Sequence, residues 1–328
     1  MRTVTVLAAR DHHMNERDPA LDSEAAAFLE TIEQGITPPT STLSVEKGRE
    51  MLDALFMDDD PEPVGEVHET EIRGPNGPIP LRIYAPAEKG PAPVLVFFHG
   101  GGWVRGSLDG YDGLCRQITN RADCLVVSVD YRRAPEHPFP AGFEDCYATT
   151  EWVDEHASDI GGDPERIAVG GDSAGGNLTA AVTLAARDRD GPAFTHQVLI
   201  YPAVNPPDVT WFDSYDENGT GYLLEMDSVE WYLEQYCEDA DVGNQYVFPI
   251  RARSLAELPP ATVVTAGFDP LADEGEAYVN RLEAAGVAVS HLHYEGQIHA
   301  FVSLYEYIET ASEAIDDVTA ELRTTFEI

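Results

Sequence analysis

With 328 residues, 43% of them hydrophobic, the chain is long enough to bury a large core, and one α/β domain with insertions accounts for it. It carries 59 acidic against 20 basic residues, a formal net charge of −39, and only two of the basic residues are lysines, Lys47 and Lys89. That balance, spread along the chain with no basic patch, argues against nucleic acid as a partner. It points instead to a protein from a salt-rich cytoplasm, where screening weakens the repulsion among carboxylates.

In chain order, residues 1–16 contain no long apolar run and soon reach Asp11, which argues against a secretory signal. No run anywhere approaches the roughly 20 apolar residues that cross a bilayer. Residues 1–60 read as polar helices without a strand partner, and His12 and His13 in that arm are expected to be solvated. Two alternating runs within residues 67–85, about Gly74-Pro75-Asn76-Gly77, predict a hairpin. Residues 93–98, Pro-Val-Leu-Val-Phe-Phe, form a short continuous apolar run, as a buried parallel strand does. His99-Gly100-Gly101-Gly102-Trp103 follows at once. Glycines after a strand let backbone N–H groups turn toward a ligand, where they can stabilise an oxyanion without any side chain. A further strand is expected over 125–130, and His137 in the proline-rich loop after it reads as structural.

The apolar run Ile167-Ala168-Val169 leads into Gly170-Gly171-Asp172-Ser173-Ala174-Gly175-Gly176, and a helix-like run follows from Asn177 to Arg187. Strand, serine at a sharp turn, then helix is the context of a nucleophile elbow, with the helix N-terminus favouring negative charge beside the hydroxyl. The bland alternative is a glycine-rich turn with a serine N-cap. After a strand over 196–202, residues 205–247 do not fit the strand–helix alternation and are rich in aromatics, among them Trp211, Phe212, Tyr215, Tyr222, Trp231, Tyr232 and Tyr236. The run Ala261–Phe268 ends at Asp269, at the strand edge where such sheets bind ligands. Another strand, Val289 to Tyr294, precedes a loop with Gly296 and His299. In this architecture the catalytic order is serine, acid, histidine, so Asp269 is the orienting carboxylate and His299 the general base of Ser173. Asp273 and Glu295 are rival acids. His291 and His293 share one strand face and are expected to be exposed. They lack a third ligand, so no metal site is read and no cofactor is expected.

On His99-Gly100-Gly101-Gly102-Trp103, Gly171-Asp172-Ser173-Ala174-Gly175-Gly176, Asp269-Pro270-Leu271-Ala272-Asp273-Glu274-Gly275 and His299-Ala300-Phe301, the chain resembles the hormone-sensitive-lipase-like family of α/β-hydrolase carboxylesterases. The run Asp130 to Pro140 is similar to another of its signatures. The resemblance implies the α/β-hydrolase fold, a mostly parallel central sheet with helices on both faces and a helical cap. Its implied organisation is N-terminal cap helices at 1–60, a first part of the core at 61–204, a cap insertion at 205–247 and the second part of the core at 248–328. It also implies Ser173, Asp269 and His299 as the catalytic triad, and an oxyanion hole built from the amides of Gly101, Gly102 and Ala174. Asp172 is the serine's neighbour in the motif, with stabilisation of the following helix as its simplest role. The departures are Arg133 for the usual leucine, Ala272 where arginine is common and Ala300 where glycine is common.

The expected activity is hydrolysis of short- to medium-chain carboxylic esters through an acyl-enzyme, on a small-molecule ester substrate. An amidase or deacetylase using the same triad is the alternative, and a non-catalytic small-molecule receptor on the same scaffold is a more distant one. Cys115, Cys124, Cys146 and Cys237 show no paired spacing and read as free thiols in a reducing, cytoplasmic compartment. Pairing into a homodimer through sheet edges is a further property the resemblance implies.

Overall fold

Along the strand Ala92–Phe98, Val94, Val96 and Phe98 face one hydrophobic cluster while Leu95 and Phe97 face another, so both sides of the strand are buried. Side chains alternate across a strand, and a run that is apolar at every position needs cover on both faces. The computed structural model describes residues 18–35, 40–88, 90–207, 210–237 and 243–328, and its topology provides that cover. His12 and His13 lie outside the described residues.

In chain order the elements are α1 (Ser23–Gln34), α2 (Val45–Phe56), β1 (Glu66–Gly74), β2 (Gly77–Ala85), β3 (Ala92–Phe98), α3 (Asp112–Ala122), β4 (Leu125–Val129) and α4 (Ala141–His156). There follow β5 (Gly162–Asp172), α5 (Ala174–Asp188), β6 (His196–Ile200), α6 (Asp213–Glu217), α7 (Met226–Tyr236), β7 (Ala261–Phe268), α8 (Ala272–Ala284), β8 (Val289–Ile298) and α9 (Glu309–Phe326). The eight strands form one sheet in the order β1-β2-β4-β3-β5-β6-β7-β8. β1 and β2 are the predicted hairpin, and β2 meets β4 antiparallel. From β4 to β8 every pairing is parallel.

One face of the sheet is covered by α3 and α9, with Leu114, Ile118, Ile315, Val318 and Leu322 packed on Leu95, Phe97 and Val126. Phe28 and Leu29 of α1 and Leu52 and Phe56 of α2 join the same cluster. The other face carries α4 and α5, and Tyr232 and Tyr236 of α7 reach into it. α1 begins where Asp22 Oδ1 accepts hydrogen bonds from the amides of Glu24 and Ala25, and α2 where Ser44 Oγ accepts from Lys47.

Two strand ends differ from the sequence reading. β5 starts at Gly162, ahead of the apolar run, because Asp163-Pro164-Glu165 hides its first residues behind turn-like composition. β8 continues through Gly296 to Ile298 where a loop was expected. There β7 and β8 run so close that a Cβ on Gly267 would lie 2.1 Å from the carbonyl oxygen of Glu295, and Phe268 pairs with Ile298 after a register shift.

Candidate active site

The parallel strands bring four segments to their shared carboxyl edge: the glycine loop after β3, the turn after β5, Asp269 after β7 and His299 after β8. At the turn, Ser173 has φ 54° and ψ −116°, a sparsely populated conformation that costs about 1–3 kcal/mol and persists only where the surroundings hold it. They do so here through the Ser173 amide, which donates to the carbonyl of Ile200 at 2.8 Å. The turn is also tight enough that a Cβ on Gly175 would sit 1.9 Å from the Phe98 carbonyl oxygen, so glycine is required for β3 to approach α5. The Ser173 side chain makes no capping hydrogen bond to α5, which sets aside the N-cap alternative.

Instead, Ser173 Oγ lies 2.9 Å from His299 Nε2, and His299 Nδ1 lies 2.7 Å from Asp269 Oδ2. Asp269 is fully buried and His299 nearly so. The other Asp269 oxygen, Oδ1, accepts from the Leu271 amide at 2.8 Å, and Asn218 Nδ2 donates to the carbonyls of Gly267 and Asp269. The carboxylate is therefore held at both oxygens, by His299 and the Leu271 amide, while Asn218 pins the backbone that carries it. Asn218 was invisible to the sequence reading, since it lies 51 residues from Asp269 in a segment without a motif. The Tyr201 ring, 4.8 Å from the His299 ring, backs the imidazole. Ala300 adopts φ 67°, a left-handed conformation that explains why glycine suits this position.

The rival residues fall elsewhere. Asp273 Oδ2 accepts from the Ser214 amide, and Asp273, Glu295 and His293 line a separate cleft of about 350 Å³. His291 Nε2 and His293 Nδ1 both bond the Thr265 hydroxyl, at 2.8 and 2.9 Å, on an exposed strand face as expected. His137 is exposed in its loop.

The glycine loop, which follows β3, is tied to the elbow where the Gly100 amide meets Asp172. Gly101 and Gly102 have φ 111° and 62°, and a Cβ on Gly102 would lie 2.4 Å from the Tyr232 ring. Ala174 is buried at the first position of α5. His99 Nδ1 donates to the Gly100 carbonyl, and its ring stacks on Tyr131 at 4.3 Å. Burial, helped by the Arg133 charge, lowers its pKa to about 3, so His99 stays neutral and structural. Asp172 corrects the simplest reading. Its carboxylate accepts from the Gly100 amide at 2.8 Å and the Tyr111 hydroxyl at 2.9 Å, tying elbow to glycine loop instead of capping α5. Burial raises its pKa to about 6, although both of those hydrogen bonds oppose the rise.

The aromatic stripe is mostly packing. Tyr236 stacks on Trp103 at 4.5 Å, Tyr232 abuts Gly102, and Tyr215 bonds Glu274, while Trp211 stays exposed. Glu274, which the motif contains without a role assigned to it, accepts from the amides of Val204 and Asn205, and burial raises its pKa to about 8. Among the described residues, no group of three or more His, Cys, Asp or Glu is arranged to hold a metal. No described helix is long and apolar enough to cross a membrane.

A parallel sheet with a serine elbow, a histidine and a carboxylate in hydrogen-bond sequence at its carboxyl edge defines an α/β hydrolase. Comparison agrees: the α/β-hydrolase-fold family matches residues 95–303, and the chain belongs to that family. Among curated proteins it is similar to the carboxylic ester hydrolase LipN of Mycobacterium tuberculosis, 45% identical over 79% of this chain and 70% of that one. It is also similar to an ethyl acetate hydrolase of Pseudomonas putida, 34% identical over 93% and 99%. Among solved structures, a hyperthermophilic esterase from Pyrobaculum calidifontis superposes with a TM-score of 0.87 at 38% identity, covering 93% of this chain and 98% of that one. The esterase family read from the motifs is thus borne out.

Proposed function

We propose that the protein is a serine carboxylic ester hydrolase working through an acyl-enzyme on short- to medium-chain esters. The observation that carries this reading is the hydrogen-bonded series Asp269–His299–Ser173. In it, His299 Nε2 takes the hydroxyl proton as Ser173 Oγ attacks the ester carbonyl. Asp269 holds the proton on Nδ1 and stabilises the imidazolium. The amides of Gly101, Gly102 and Ala174 stabilise the oxyanion, His299 protonates the leaving alcohol, and water repeats the sequence to free the acid. The esterase names of the relatives support the reaction class. The described residues within 1–60 and 205–247 form the cap, a reading supported by Tyr232 and Tyr236 of α7 lying on the glycine loop. Among the described residues their aromatics turn mostly inward and leave no broad apolar face for a lipid surface, which favours soluble esters.

The setting we propose is a salt-accumulating cytoplasm. It is supported by the net charge of −39 and by four cysteines that are all free. The experiment is a hydrolysis profile over p-nitrophenyl esters of graded acyl length in molar salt, beside matched anilides. Turnover should peak at short to medium acyl chains, with esters ahead of anilides. A long-chain optimum or faster anilide cleavage would replace this reading with a lipase or an amidase.

A further inference from the structure

Arg49 reaches out of α2 to the glycine loop, 55 residues away in sequence. Its Nε donates to the Val104 carbonyl at 2.8 Å and its Nη2 to the Ala134 carbonyl at 3.0 Å. The same guanidinium pairs with both oxygens of Glu136, at 2.8 and 2.7 Å. Val104 is fully buried, two residues beyond Gly102. Its amide, with that of Arg105, donates to the Gly101 carbonyl, closing the turn that carries Gly101 and Gly102. Ala134 brackets the same loop, since its amide donates to the Trp103 carbonyl at 3.0 Å. One planar cation therefore ties both sides of this turn to the N-terminal helices, and Glu136 fixes its orientation.

We propose that Arg49 is a positioning residue for the oxyanion site: it sets where the Gly101 and Gly102 amides point without touching substrate. Donors to an oxyanion act only when aimed at where the charge develops, and a displacement near 1 Å can cost about a hundredfold in rate. Lysine cannot replace it, because an ammonium lacks the planar fork that serves two carbonyls and a carboxylate together.

This inference rests on the esterase reading, so its test separates the two. Arg49→Ala, Arg49→Lys and Glu136→Gln are compared with the unaltered chain on p-nitrophenyl butyrate and on its thiono counterpart, whose C=S sulfur gains little from an oxyanion hole. Melting temperature is recorded for each protein. The two arginine variants should lose about ten- to a hundredfold in kcat on the oxoester, with KM within about twofold, and much less on the thionoester. Glu136→Gln should fall between them and the unaltered chain, and it keeps the test valid if Arg49→Ala does not fold. Full oxoester kcat in Arg49→Lys, or equal losses on both esters, would overturn the role. If the unaltered chain cleaves neither ester, or Ser173→Ala keeps turnover, the esterase reading falls instead.

Discussion

His299 Nδ1 lies 2.7 Å from Asp269 Oδ2, a contact in which a fully buried carboxylate meets a ring that is 6% exposed. A buried carboxylate at that nitrogen fixes the tautomer, leaving Nε2 free to accept the Ser173 proton. Asp269→Asn keeps the shape and reverses the tautomer preference. It should lower kcat by about 10⁴-fold while the fold survives. A near-normal rate in a folded Asp269→Asn protein would move the orienting role to another acid.

His299→Ala should be as damaging as loss of the nucleophile, because the triad works as a unit. His291→Ala and His293→Ala should leave turnover within about twofold, since both rings engage Thr265 instead of the serine. Steady-state kinetics on the three variants decides the assignment of the base.

Gly102→Ala should cost about a hundredfold in kcat. Its φ of 62° disfavours a side chain, and the new Cβ would meet the Tyr232 ring at 2.4 Å, pushing the loop out of place. Unchanged kcat on a soluble ester would take Gly102 out of the oxyanion site.

Glu274 sets an expected pH dependence of stability. Burial raises its pKa from the ordinary 4.5 to about 8. Between those values the unfolded chain has released the proton and the folded one retains it, so stability falls as pH rises through that window. Glu274→Gln mimics the neutral form and can still bond Val204, Asn205 and Tyr215. The melting temperature of Glu274→Gln relative to the unaltered protein should therefore rise from pH 5 to about pH 8 and level off above it. A difference that stays flat across that range would show that Glu274 ionises as freely as in the unfolded chain.

Salt should act on stability and activity together. The Debye length shrinks from roughly 10 Å at 0.1 M to about 3 Å at 1 M, which removes most repulsion among exposed carboxylates. Local pairing already employs scarce arginine heavily: Arg82 alone contacts Glu69, Asp109 and Asp112. Dialysis from molar to 50 mM salt, a roughly twentyfold dilution, should lower the melting temperature and inactivate the enzyme in step. Full activity and an unchanged melting temperature in dilute buffer would remove the salt-rich setting.

The sheet, and the meeting of Ser173, Asp269 and His299 at its edge, are legible in the sequence because each rests on local pattern. Apolar runs mark the strands, and the strand ends, taken with chain order, put Ser173, Asp269 and His299 at one edge. What stayed hidden depends on side chains meeting across the fold. Nothing near Asn218 signals that it will hold Asp269 from 51 residues away, and Arg49 looks like any polar helix residue until Val104 and Glu136 are placed beside it. The same holds for Asp172: a helix start adjoins it in sequence, but its carboxylate bonds the Gly100 amide and the Tyr111 hydroxyl, 72 and 61 residues away.

The most direct test of the proposed chemistry is covalent labelling with a p-nitrophenyl alkylphosphonate in molar salt, followed by peptide mass spectrometry. The account predicts one phosphonyl group per chain, attached to Ser173, appearing in step with loss of esterase activity, and no labelling of folded Ser173→Ala. Stoichiometric inactivation with the label on another residue, or undiminished labelling of Ser173→Ala, would contradict it.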